Sequence, residues 1–170
     1  MTNENNFSGT TGMVKDIRDN SEYKWKQIES QIWMIENLRF KTDTGCWAYD
    51  NNNENLNKYG YLYNWEGAKA VAENFKGWRL PTNEDCSKLI YSCNNSIELV
   101  FELLNIGKYS DIYLKDNNNY TLGACSDFWI DNGNGNHTQT YFNGLANRCN
   151  DLLKETSALF GYNVRLIKNI

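Results

Sequence analysis

The chain has 170 residues, enough for one domain whose core would take roughly 70% of the unfolded surface out of water. A hydrophobic fraction of 41% excludes wholesale disorder, and a net charge of -4 with a pI near 5.1 excludes nucleic acid, which asks for a basic face. No run approaches the roughly 20 apolar residues of a membrane-spanning helix, so no membrane insertion is expected.

The composition is unusual in its aromatics, with 6 Trp, 11 Tyr and 7 Phe, and in its 27 asparagines. Aromatics fill cores and build rigid contact surfaces, while asparagine tolerates left-handed backbone and caps its own turns. Together they predict many short strands joined by irregular loops. Residues 1–12, MTNENNFSGTTG, are polar and lack the positive start and apolar centre of a signal peptide. They read as a flexible arm, able to order on a partner within a larger assembly. Residues 13–170 then read as a single domain.

In residues 13–40 three short antiparallel strands are expected, broken at Asp19–Asn20 and at Glu29–Ser30. Residues 41–58 are loop-like and contain the run Asn51, Asn52, Asn53. A short strand over 61–63 leads to Asn64, which is placed to cap a helix over 65–74. Within GWRLPTNEDCSKLI, residues 77–90, the only proline, Pro81, forces Leu80 out of the helical region. Thr82 with Asp85 three residues later makes a capping box, opening a helix that runs to about Cys93. A second helix is expected over 96–105. Strands are expected over 112–114, 120–130, 138–142, 151–155 and 163–168. Helices in the middle with strands at both ends predict an α+β domain.

Five cysteines, at 46, 86, 93, 125 and 149, leave at least one unpaired and match no zinc spacing. Free or buried thiols are expected, with a Cys125–Cys149 bridge left open.

Five blocks occur in a fixed order: QIWMIENL (31–38), KYGYLYNW (58–65), GWRLPTNED (77–85), DFW (127–129) and GYNVRLIK (161–168). In this order they resemble the Fibrobacter succinogenes major paralogous domain, over nearly all of residues 13–170. That family is similar to C-type-lectin-like domains and, more distantly, to formylglycine-generating proteins. The resemblance implies a C-type-lectin-like fold of antiparallel sheets, with the N- and C-terminal strands paired and two or three helices flanking them. It also implies a loop-rich second sheet as the ligand surface and a place outside the cell or on a bacterial surface. The polar N-terminus points instead to a virion.

The block residues Trp33, Asn37, Trp65, Trp78, Arg79, Pro81 and Arg165 are expected to be structural. A buried Trp needs an acceptor for its N–H, for which asparagine amides are the expected partners, and buried arginines need carboxylates or carbonyls. No hydrolase, kinase, metalloprotease or dinucleotide motif occurs, and His137 sits in an Asn/Gly turn without a catalytic partner. Formylglycine-generating enzymes need two cysteines near the C-terminus, where this chain has Cys149 alone. No enzyme activity and no cofactor are expected. The run DNGNGN, residues 131–136, offers calcium a single carboxylate, so a hairpin turn is the stronger reading and no metal is expected. What remains is a recognition or adhesion module for a protein or glycan partner. Its ligand residues are expected on the 129–148 loops: Trp129, Asp131, Asn134, Asn136, Tyr141, Asn143 and Arg148. The alternative is a structural or decoration protein of a larger assembly such as a phage virion.

Overall fold

The computed structural model describes residues 9–104, 113–115, 121–123, 128–131, 133, 137–139, 142–143, 148–149 and 160–170. The predicted strand at 151–155 lies outside them, as does Cys125. The chain is α+β, with antiparallel sheets and a few helices. No helix among the described residues is long and apolar enough to cross a membrane.

Three strands form as expected: β1 (Thr11–Lys15), β2 (Glu22–Ile28) and β3 (Gln31–Met34). Turn chemistry fixes their joins. Asn20 takes φ +64°, the left-handed conformation asparagine tolerates, and the Asp19 carboxylate accepts from the Ser21 amide at 2.9 Å. Because β1 starts at Thr11, the predicted arm is too long. Thr11 pairs with Lys26 and Gly12 with Trp25, so those residues belong to the sheet.

The next segment is more structured than its polarity suggests. β4 (Cys46–Ala48) pairs with β5 (Tyr61–Tyr63), and two 3-10 turns lead into a single helical turn, α1 (Leu56–Tyr59). Gly60 ends that turn at φ +70°, and a Cβ there would lie 2.6 Å from the Leu38 carbonyl oxygen. Only glycine allows this approach, which lets the Tyr61 amide donate to that carbonyl at 2.9 Å.

α2 (Trp65–Glu73) starts where Asn64 accepts from the Gly67 amide at 2.8 Å. α3 (Asn83–Ser92) carries the complete capping box: the Thr82 hydroxyl accepts from the Asp85 amide, and the Asp85 carboxylate accepts from the Thr82 amide at 2.7 Å. α4 (Ile97–Leu103) is capped by Ser96. Short strands follow: β6 (Tyr113–Lys115), β7 (Thr121–Gly123), β8 (Trp129–Asp131), β9 (His137–Gln139), β10 (Phe142–Asn143), β11 (Arg148–Cys149), β12 (Phe160–Gly161) and β13 (Ile167–Asn169).

The expected direct pairing of the first and last strands is corrected. The main sheet runs β1-β2-β3-β13, so the terminal strands are its two outer members and β13 pairs with β3. Ile17 lies in the turn beyond β1 and is 85% exposed, so it adds nothing to the sheet. The closing segment is held at the β3 side by backbone bonds from Met34 to Leu166 and from Leu38 to Val164, and by the Arg79–Ile167 bridge, all of them remote from β1. Strand alternation then sends Trp33 and Ile167 into one apolar cluster with Leu89, Val100 and Phe128. Met34 and Leu166 enter another with Tyr63, Val71, Phe75 and Trp129. Both faces of β3 are therefore covered, whereas β2 keeps Glu22 and Lys24 exposed.

The closing segment ties the elements together. Phe160–Gly161 pairs in parallel with β7, Tyr162 bridges Tyr63, and Asn163 bridges Phe128. The carbonyls of Val164 and Leu166 accept from the amides of Leu38 and Met34, and Ile167 exchanges both backbone bonds with Arg79 at 2.9 Å.

Candidate functional site

The block residues are committed to the frame. Trp33 is fully buried and its indole N–H donates to the Gln31 side-chain oxygen at 3.2 Å. Gln31 in turn donates to Asp85 at 2.5 Å. Arg79 holds the same carboxylate with two N–H groups, at 2.6 and 3.1 Å. Burial pushes the Asp85 carboxyl upward, but the hydrogen bonds from Arg79 and Thr82 and the Arg79 charge outweigh it and hold the group below its ordinary value. Arg165 donates to the Asn37 side-chain oxygen at 2.7 Å and to the Leu104 carbonyl. The Asn37 and Asn163 amides both donate to the Tyr59 carbonyl. Pro81 is buried, and its carbonyl accepts from the Asp131 amide at 2.9 Å.

Trp129, expected at the ligand surface, is a core residue. It is fully buried between Trp65 and Tyr162, with ring centroids 5.5 and 5.1 Å away, and its indole N–H donates to the Tyr63 carbonyl at 2.6 Å. Phe128 and Ile130 are buried as well, so this stretch is covered on both sides and alternation offers no outward position until Asp131. The acceptors for the Trp33 and Trp129 indoles are thus a glutamine and a carbonyl rather than the expected asparagines.

Asp131 does reach the surface. It is the register partner of His137 in the antiparallel β8–β9 pair, and one carboxylate oxygen accepts from the Gly133 amide at 2.8 Å; the rest of the DNGNGN run lies outside the described residues. Asn143 and Arg148 are register partners in the β10–β11 ladder. Asn134, Asn136 and Tyr141 lie outside the described residues.

Beside Asp131 opens a cleft of about 440 Å³. One wall is the α2 face carrying Lys69, Ala72 and Glu73, spaced at i, i+3 and i+4. The floor and far side are Trp78, Arg79, Leu80 and Thr82, and Asp131 with Gly133 closes the end. The half-buried Trp78 ring lines it and makes a T-shaped contact with Phe75 at 6.2 Å. Among the described residues its indole N–H has no protein acceptor, and the Glu73 carboxylate has no partner. The two cations are engaged: Lys69 lies 3.6 Å from Glu66, and Arg79 is held by Asp85. Comparison with protein families, curated proteins and solved structures gives no match to this chain.

Sequence reasoning missed three features. Lys69 and Glu73 are ordinary polar residues of a helix, and nothing in their spacing marks a cleft. A buried Asp16 pairs with Arg18 at 2.6 Å, while the guanidinium stacks over Phe40 at 4.0 Å and donates to the Val71 carbonyl. An acid and a base two apart at a strand end was the available signal for that pair. A second cleft, of about 580 Å³, lies between this arginine, Asp43 and the outer side of α2. Among the described thiols, Cys86 and Cys93 are buried and unbridged, and burial pushes Cys93 up to about 11, where the reactive thiolate is scarce at neutral pH.

Proposed function

We propose that the chain is a recognition module without catalytic activity, a relative of the major paralogous domains with a C-type-lectin-like arrangement. In this reading it binds a protein or glycan partner in the cleft between α2, the 78–82 segment and the end of β8. The observation that carries this reading is the contrast in commitment. Asp85, Arg79 and Arg165 spend their polar atoms on the frame, whereas among the described residues the Trp78 indole N–H and the Glu73 carboxylate have no protein partner and can serve a ligand. An aromatic wall with a few convergent polar groups is how small ligand sites are commonly built. The site thus shares Asp131 with the predicted loop surface but excludes Trp129. Such a module would act on a bacterial surface. A second reading, as a subunit of a larger assembly such as a virion, is favoured by the outer strand β1, where Met13 and the adjoining Ile17 are exposed.

The test is binding of the labelled chain to arrays of glycans and of peptides, compared with two variants. Asp131→Asn is an isosteric surface change, and Trp78→Leu keeps apolar bulk against Phe75. Each should weaken the strongest array signal by about tenfold or more, the scale of losing a binding anchor. Asp131→Asn should melt as the parent does. Equal binding by both variants would overturn the assignment of recognition to this cleft.

A further inference from the structure

We infer that the cleft beside Trp78 selects an ammonium group, presented as a lysine side chain of a protein partner. This rests on the reading of that cleft as the recognition site. Its charges divide into two kinds. Lys69 and Arg79 each bring a counter-anion, Glu66 at 3.6 Å and Asp85 at 2.6 Å, and so contribute little net field. Glu73 on α2 and Asp131 at the end of β8 line the same space, and neither has a cationic partner among the described residues. One Asp131 oxygen is held by the Gly133 amide, which leaves the other able to accept.

A bound cation therefore meets two uncompensated carboxylates. The remaining wall suits the rest of a lysine. The Ala72 and Leu80 side chains offer apolar surface to a four-carbon stem, and an indole is the best aromatic partner for a cation. The Trp78 N–H, which has no protein acceptor among the described residues, can hold a backbone carbonyl of the peptide. A volume of about 440 Å³ accommodates one long side chain and its flanking backbone. The acidic balance of the whole chain, -4, favours approach of a basic partner.

The experiment titrates the full chain with Nα-acetyl-lysine methylamide, with its norleucine counterpart and with a neutral methyl hexoside, following the Trp78 indole N–H by NMR. The lysine compound should move that signal and the norleucine compound should not. Glu73→Gln and Asp131→Asn should each lower the lysine affinity about fivefold, the weight of an exposed ion pair, and added salt should weaken it further. Equal response to lysine and norleucine would overturn the ammonium assignment, as would a response to the hexoside alone, and both would leave the cleft standing as a binding site. Array ligands that leave the Trp78 signal unmoved would instead remove the cleft reading itself, and the ammonium inference with it.

Discussion

A chain cut after Tyr162 should show no cooperative thermal transition. Residues 163–170 carry Val164, Leu166 and Ile167, all fully buried. At about 1.5–3 kcal/mol each these aliphatics supply about 5–9 kcal/mol, against a typical total of about 5–15. The truncation also removes β13 from the sheet and the Arg165 bonds to Asn37 and Leu104. Circular dichroism and proton NMR dispersion of the shortened chain check this. An intact sigmoidal melt with dispersed methyl signals would contradict the central position given to the closing segment.

Asp85→Ala should cost about 3 kcal/mol, at the low end of the range for breaking a buried charged pair. The low end applies because the Arg79 side chain is 41% exposed and can turn to water once its partner is gone. What is lost with certainty of chemistry is the capping box and the acceptor for Gln31. The same carboxylate predicts a pH dependence. Its folded value lies below its unfolded one, so its contribution is complete above the ordinary aspartate value near 3.9 and is lost as pH falls through the lower folded value. Melting temperatures should therefore fall more steeply on acidification below about pH 4 in the parent than in Asp85→Asn. Parallel curves would show that the Arg79–Asp85 contact adds no stability.

Much of the frame was legible because it depends on local chemistry. Strand alternation over 22–34, the Asn64 cap and the Thr82–Asp85 box each need only residues within a few positions of one another, and all three form. The arginines were expected to find carboxylates or carbonyls, and they do. What escaped depends on distant neighbours. Trp129 looks like a surface anchor in its own sequence, and only the arrival of Tyr63, Trp65 and Tyr162 makes it core. Likewise β13 could have joined β1 or β3, since both offer apolar β-formers, and the distant bonds of residues 164–167 to Met34, Leu38 and Arg79 go with the β3 side. The cleft was illegible for the same reason. Glu73 and Asp131 stand 58 positions apart, and each alone is an ordinary polar surface residue.

The assignment of recognition to that cleft is tested most directly by mapping backbone and indole amide shifts as the tightest-binding array compound is added to the isotope-labelled chain. Perturbed signals should cluster at Lys69, Glu73, Trp78, Arg79, Asp131 and Gly133, with those of Trp33 and Trp129 nearly still. A cluster instead around Arg18, Asp43 and Asn74, at the second cleft, would contradict it.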